Sequence, residues 1–239
     1  SVKIYGYFTN SNIFLLPSAF GIPLIFTIRN HLKIIIATHN SDKRKELVPL
    51  LEPHGWEILT LNEFPQIGEI VEDGSSLEEN ALIKARTVNQ ITGLPTLADD
   101  TGLEVDALNG APGIYAARYA GENCSYQDNV DKLLREMKGV KDIDRKARFR
   151  TVIAFVENSS EHTRDGFVDG VISKIPKGVG GFGYDPVFYV PDMNKTFAQM
   201  TTTEKAKISH RGKAVRNMVL FLSQLYANPQ NSTTQKETA

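Results

Sequence analysis

The chain of 239 residues has a single cysteine, Cys124. One cysteine excludes an internal disulfide and a cysteine-rich zinc site, and it suits a reducing compartment. The thiol itself reads as a chance residue in a loop. Excess charge is also missing: 27 Lys and Arg stand against 28 Asp and Glu, a formal net charge of -1. A general electrostatic grip on DNA or RNA is not implied, so no nucleic-acid partner is expected. The glycines of G-x-x-x-x-G-K-[ST] are absent, which excludes a P-loop, and there is no internal repeat. Acidic residues are absent from Ser1–His31. Within that stretch Ile13–Ile28 is apolar but short for a membrane span, and Pro17, Gly21 and Pro23 interrupt it. Only Lys3 supplies a positive charge before it. Three readings are open: an export or transit segment, a short lipid-associating anchor, or a non-native extension. The third is preferred, because Leu32-Lys33-Ile34-Ile35-Ile36 reads as the first true strand. No stable membrane association is expected.

The remainder has ordinary globular composition, 41% hydrophobic and 23% charged, and is long enough to bury a core as one bilobed domain. We assign residues 1–31 to the extension and 32–226 to the domain. Residues 227–239 are expected to form a disordered tail, being polar and without periodicity.

Lys33–Ala37 suits a buried strand, followed by a helix near Ser41–Leu51 that stops before Pro53. Trp56–Leu61 reads as a strand. Ser76-Leu77-Glu78-Glu79 reads as a capping box opening a helix to about Ile91, with Gly93 as its stop. Thr96–Ala98 is expected to run into an Asp-Asp turn, and Asp106–Arg118 to be loop-rich. Ser125 is expected to cap a helix whose apolar face is Tyr126, Val130, Leu133, Leu134 and Met137, with Gly139 ending it. Ala147–Glu157 and Gly166–Ile175 read as paired strands, Val187–Val190 as another. Ala214, Val215, Met218, Val219, Leu222 and Leu225 mark a last amphipathic helix. The charged stretch Lys138–Arg150 reads as a solvated loop and strand face. The class is α/β.

Four constellations carry chemistry. Thr38-x-Asn40-x-x-Lys43 joins a strand to a helix start, where free N–H groups, short polar side chains and a lysine suit a phosphate; an ordinary N-cap with a solvated lysine is the alternative. Asp99 and Asp100 are adjacent on a strand and point to opposite sides. One suits a cleft and a hard cation such as Mg²⁺, or both belong to a turn. Glu79 either caps its helix or turns outward to metal. Gly178–Gly183 fits G-x-G-x-x-G literally but leads into β-like sequence, which excludes a dinucleotide fingerprint. Its glycines instead suggest close backbone approach to a ligand or movement. Phe182 and Tyr184 on those hinges suit a platform for a flat ring, or are core aromatics. Ser209-His210-Arg211 lies at a helix start and offers an imidazole and a planar donor fork.

Taken in order, Thr38–Lys43, Glu79-Asn80-Ala81, Ala98–Leu103, Gly110-Ala111-Pro112-Gly113, Phe182–Pro186 and Ser209–Arg211 resemble the inosine triphosphate pyrophosphatase family, over about Lys33 to Leu225. The resemblance implies a two-lobed α/β fold with an elongated mixed sheet flanked by helices and the active site in the cleft between lobes. It implies a cytoplasmic homodimer that hydrolyses ITP, dITP, XTP and dXTP to monophosphate and pyrophosphate, with Mg²⁺ as cofactor. By motif, Asn40, Lys43 and Lys205 would hold phosphates, with Thr38 and Thr101 beside them and Lys84 as a further contact. Glu79 would bind or position Mg²⁺. Asp100 would share the metal and activate water, with Asp99 as its neighbour. Phe182 would stack on the purine. Gly183, Tyr184 and Asp185 would line the base pocket, with Ser209, His210 and Arg211 closing on its edge. His39 stands where many relatives have glycine, so strain is expected there if the backbone needs positive φ. Tyr184 replaces a tryptophan of some relatives. Two other readings remain open: a related nucleotide pyrophosphatase preferring pyrimidine or modified bases, and a nucleotide-binding module without turnover. The Ser209–Arg211 cluster argues against the first, and the presence of both Glu79 and Asp100 against the second.

Overall fold

The computed structural model describes residues 32–227, with the backbone of two short strands, β1 (Asn12–Leu16) and β2 (Leu24–Ile28), which pair antiparallel with each other. The expectations for the rest of Ser1–His31 and for the tail 228–239 lie outside the described residues. Among the described residues no helix is long and apolar enough to cross a membrane.

Three consecutive isoleucines make β3 (Lys33–Ile36), and all three are fully buried. A β-branched run with no polar face suits a strand covered on both sides. It lies between parallel neighbours, β4 (Glu57–Thr60) and β5 (Thr96–Val105). Helix α1 (Ser41–Leu51) separates β3 from β4, and α2 (Leu77–Thr92) separates β4 from β5. Gly93 ends α2 in the left-handed region at φ 68, a conformation that suits glycine.

Beyond β5 the sheet turns antiparallel. The short β6 (Pro112–Gly113) pairs with the far end of β5; β7 (Lys146–Glu157), β8 (Ser160–Ile172), β9 (Phe188–Val190) and β10 (Lys195–Thr196) follow in that order. The result is one open, mixed, 8-stranded sheet flanked by helices, as expected.

Strand β7 shows where the layers change. At its start Ala147 and Phe149 are buried while Lys146 and Arg148 are exposed; from Val152 to Val156 every residue is buried. The uniform part belongs to the half of the sheet with helices on both faces. There α2 packs against Ile35, Ala98, Val152 and Ala154, and α1 with α5 (His210–Ala227) packs against Ile34, Leu97, Ile153 and Phe155. The other half encloses Leu103, Phe149, Phe188 and Phe197, closed by Val130 and Leu133 of α3 (Tyr126–Glu136). Each such buried side chain stabilises the fold by about 1.5–3 kcal/mol. A Cβ at Gly166 of β8 would stand 2.4 Å from both Ala214 N and His210 O, so only glycine lets the first turns of α5 rest directly on the sheet.

Several local expectations are corrected. The Asp-Asp pair is not a turn: β5 runs through it without interruption, paired along its length with β7. β8 begins at Ser160 rather than Gly166, because Asn158 takes a left-handed φ of 54 and closes a tight hairpin. A short helix, α4 (Thr202–Ile208), was not foreseen, although Thr201 and Glu204 form a capping box. Arg145 is not solvated. Its buried guanidinium donates to the carbonyls of Met137, Ile172 and Ser173 and ties the α3 end to the β8 end.

Candidate active site

The alternation of β5 sends its two aspartates to opposite faces. Asp99 points toward α1 and α5 and is fully buried. Its Oδ2 accepts from Arg211 Nε at 3.2 Å, Arg211 Nη2 at 3.1 Å and Thr101 Oγ1 at 3.3 Å, and lies 3.3 Å from Lys43 Nζ. Burial pushes this carboxyl up, but Lys43 and Arg211 outweigh it and hold it well below the usual carboxylate range. Its Oδ1 is buried and accepts no hydrogen bond from the described residues.

Asp100 points toward α2. It accepts from Asn80 Nδ2 at 3.3 Å and from Lys84 Nζ at 3.4 Å. Lys84 also donates to Glu72 at 2.6 Å. Burial raises the Asp100 pKa, and the opposing lysines Lys84 and Lys43 only moderate this. Burial works against the charge on Lys84, yet Asp100 and Glu72 raise its pKa overall. Glu79, expected either to cap or to bind metal, is exposed and accepts from Ser75 N at 2.7 Å and Ser75 Oγ at 2.9 Å. The carboxylate that shares Lys84 with Asp100 is therefore Glu72. It lies in a stretch without periodicity or motif, where nothing local singles it out.

At the start of α1, Asn40 is the N-cap: its Oδ1 accepts from Asp42 N at 2.9 Å and Lys43 N at 3.0 Å. Its own N–H donates to Thr38 Oγ1 at 3.2 Å. Lys43 is not a solvated lysine. It turns inward to Asp99, and burial chiefly lowers its pKa. His39 is not among the residues with positive φ, so the strain expected from a missing glycine is absent; its Nε2 instead meets the carbonyl of Gly68 at 3.0 Å.

Gly178 and Gly181 of the 178–183 loop serve close packing against the protein's own backbone and side chains, whereas a Cβ at Gly183, where φ is 59, would meet nothing within 4 Å. A Cβ at Gly178 would meet Ala198 C at 2.4 Å, and one at Gly181, where φ is 70, would meet Asp185 Oδ2 at 1.9 Å. The resulting turn lets Asp185 Oδ2 accept from Phe182 N at 2.9 Å and from the Lys205 ammonium. Lys205, expected at phosphates, also donates to Glu46 at 2.6 Å and lies 5.0 Å from the Phe182 ring centroid. Phe182 is half-buried; Tyr184 is buried, donating to Ala116 O at 2.9 Å. The pair is thus one half-open ring face and one core wall.

Ser209 caps α5, its Oγ accepting from Gly212 N at 3.1 Å. His210 stacks on Phe149 with centroids 4.5 Å apart and planes 15° apart, and its buried Nδ1 has no partner among the described residues. Burial, with Arg211 and Lys205 nearby, holds its pKa well below the ordinary imidazole value, so it is neutral. Arg211 donates to Asp99 twice, to Thr101 Oγ1 at 3.1 Å and, through Nη1, to Glu46. A guanidinium has five N–H donors; four are used on Asp99, Thr101 and Glu46, so one on Nη1 remains without an acceptor among the described residues.

These groups surround a cleft that is open at its mouth. Of the residues singled out in the sequence, Asn40, Lys43, Thr101, Phe182, Gly183, Tyr184, Asp185, Lys205, His210 and Arg211 line it. Thr38 and Ser209 support its walls through their turns. Glu79, Lys84 and Asp100 are not among its lining residues; the last two point to the α2 face of β5. Missed were Phe149, Asn129 and Tyr126, which line the cleft, and Glu46, which braces Lys205 and Arg211. Tyr126 was expected on the core stripe of α3 but is 41% exposed. Among the described residues no three His, Cys, Asp or Glu side chains converge as a metal cluster.

A family model described as the Ham1 family matches residues 34–221. A dITP/XTP pyrophosphatase of Desulforamulus reducens is 48% identical over 196 residues, spanning 82% of this chain and 98% of that protein. One from Bacillus subtilis is 45% identical over 189 residues, 79% of this chain and 96% of that protein. Among solved structures, a HAM1 protein from Coxiella burnetii matches with a TM-score of 0.74 and 41% identity, covering 81% of this chain and 99% of that one.

Proposed function

The chain belongs to the Ham1 family, and from that premise we propose that it hydrolyses ITP, dITP, XTP and dXTP to the monophosphate and pyrophosphate. The observation that carries the reading is the two-ended site around β5. An aromatic face with fixed cations, Lys43 beside Asp99 among them, borders the cleft, and Lys84 beside Asp100 lies on the α2 face of the same strand.

Phe182 is the stacking face for the purine, and Tyr184 with Asp185 forms the wall behind it. We assign Lys205 to this base end, since it rests against Phe182 and Asp185. Lys205 has three N–H donors and uses two, on Glu46 and Asp185; Arg211 keeps one on Nη1. Both remaining donors suit the 6-oxo acceptor of hypoxanthine and xanthine. Adenine presents a 6-amino donor there and would leave them unmatched, a penalty that supports discrimination of about 10⁴ or more in sites built this way.

Asn40, Lys43 and the start of α1 receive phosphate oxygens, and Thr38 and Thr101 hold this end in place. Asp100, raised by burial, is the carboxylate that accepts a proton from the attacking water. Lys84 fixes its orientation and offsets phosphate charge. The donor set fits a hard cation such as Mg²⁺: Asp100 and Glu72 supply carboxylate oxygens around Lys84, and such ions take their other ligands from phosphates and water. When bound, Mg²⁺ would neutralise charge on the triphosphate and the leaving pyrophosphate. In this reading Glu79 supports the α2 start through Ser75. Residues 32–226 act as the pyrophosphatase domain. A cytoplasmic homodimer is part of the same proposal, supported by the motif resemblance and the single cysteine.

The test is pyrophosphate release from ITP, XTP, GTP and ATP, with Mg²⁺ and with EDTA. Fast Mg²⁺-dependent release from ITP and XTP alone is expected. Release from all four would overturn the base-end assignment, and nucleotide binding without release would favour a binding module.

A further inference from the structure

Tyr126, the first residue of α3, has no part in the reading above. Its ring centroid stands 5.7 Å from that of Phe182, with the planes tilted by 45°. Its hydroxyl accepts from Asn40 Nδ2 at 3.1 Å and donates to Asp42 Oδ2 at 3.3 Å. One side chain therefore joins the ring at the base end to the cap residue at the phosphate end.

The ring contact excludes a bound base, and the hydroxyl contact takes one of the two Nδ2 donors of Asn40 that a phosphate could use. Ring atoms in contact lie about 3.5–4 Å apart, so a base held between two rings needs their centroids roughly 7–8 Å apart. At 5.7 Å no third ring fits between Tyr126 and Phe182. Asn40 is similarly committed. Its Oδ1 is occupied by Asp42 N and Lys43 N, so Nδ2 carries its only side-chain donors. Tyr126 takes one of these and fixes the amide's orientation.

We propose that Tyr126 is the second jaw of an aromatic clamp on the purine and, in the arrangement described, a latch on Asn40. This rests on the assignment of Phe182 to the base and Asn40 to phosphate. Entry of the base moves Tyr126 off Phe182, which breaks the bond to Asn40 and hands Nδ2 to a phosphate oxygen. Recognition at one end thereby raises affinity at the other. Inorganic tripolyphosphate has no base and must displace the latch unaided. The clamp thus favours whole nucleotides over bare polyphosphate.

Calorimetric titration of tripolyphosphate into wild type, Tyr126→Phe and Tyr126→Ala tests the latch, and KM and kcat for ITP test the jaw. Both variants should bind tripolyphosphate about five-fold tighter, the scale of one competing hydrogen bond. Tyr126→Phe keeps the ring and should not raise the KM for ITP. Tyr126→Ala should raise it about ten-fold, with kcat nearly unchanged. A tyrosine with a purely structural role would not tighten tripolyphosphate binding when altered. Affinity unchanged or weakened in both variants would overturn the latch, and an unchanged KM in Tyr126→Ala would overturn the jaw. Failure of the underlying reading has a different signature, a wild type that binds tripolyphosphate yet releases no pyrophosphate from ITP. The tripolyphosphate comparison still decides the latch in that case.

Discussion

Arg211 lays two donors, Nε and Nη2, on the same oxygen of Asp99 at 3.2 and 3.1 Å, across 112 residues of chain. Both side chains are nearly or fully inaccessible, and Glu46 takes Nη1 of the same guanidinium. The arrangement joins the central strand to the first turn of α5 and, through Glu46, to α1. Removing one partner of a buried pair leaves an uncompensated charge, which typically costs about 3–5 kcal/mol. Arg211→Ala should lower the free energy of urea unfolding by about that amount. Arg211→Lys should recover only part of it, because an ammonium cannot reproduce the fork. A loss below about 1 kcal/mol, the range of exposed pairs, would mean that this network does not hold the two elements together.

Stability should also depend on His210. Its imidazole is buried and its pKa lies well below the ordinary value of 6.5. The unfolded chain takes up a proton near that value, while the folded protein does not. The unfolded state therefore binds more protons below about pH 6.5, so stability is full above that pH and falls as the solution is acidified. His162 shifts the same way, mainly by burial, so the comparison must isolate His210. Urea unfolding of wild type and His210→Gln at pH 7.5 and pH 5.5 does so. The wild type should lose about 1 kcal/mol more than the variant over this interval, and equal losses would place His210 in contact with water.

Several features of this molecule were legible in the sequence because their signals are local. Ser76 and Gly93 mark the ends of α2, and the isoleucines of β3 mark a strand covered on both faces. The motifs located ten of the cleft-lining residues, since a strand end, a glycine turn and a helix start each leave a trace in a few consecutive residues. What escaped depends on distant packing. Tyr126 sits at a position that suits a core stripe, and only the placement of Phe182 and Asn40 turns it toward the cleft. Glu72 has no local pattern, and its meaning comes from Lys84 twelve residues later. Glu46 reads as a surface residue of α1 until α4 and α5 bring Lys205 and Arg211 to it. The uninterrupted course of β5 was hidden because aspartate is a poor strand former. Here two aspartates are tolerated in mid-strand because each meets cations.

Asp100 should separate binding from turnover. It faces Lys84 and Asn80 rather than the aromatic end, so Asp100→Asn keeps the shape and the base contacts while removing the proton acceptor. Turnover of ITP should fall by at least about 10²-fold, the lower range for a general base. ITP affinity measured by calorimetry without Mg²⁺ should stay within a few-fold. Chelation of the metal with EDTA should abolish wild-type turnover reversibly, with activity returning on addition of Mg²⁺. Undiminished turnover in the variant would move the proton acceptor elsewhere, and Glu72 would be the next residue to replace.

Phe182 offers the cleanest separation of the two ends of the site. It is half-buried and belongs to none of the three core clusters, so its truncation should cost little stability. Its neighbours Lys205 and Asp185 are held by Glu46 and by each other, so the base-edge donors should survive its loss. Stacking of a base on an aromatic ring contributes about 1–3 kcal/mol. Phe182→Ala should therefore raise the KM for ITP and XTP by about 5- to 150-fold, with kcat close to wild type because the phosphate end is intact. Phe182→Trp, which keeps a ring face, should restore most of the loss. Tripolyphosphate has nothing to stack, so Phe182→Ala should not weaken its binding. A parallel loss of affinity for tripolyphosphate would show instead that Phe182 organises the whole cleft. Unchanged kinetics would take the purine away from this ring altogether.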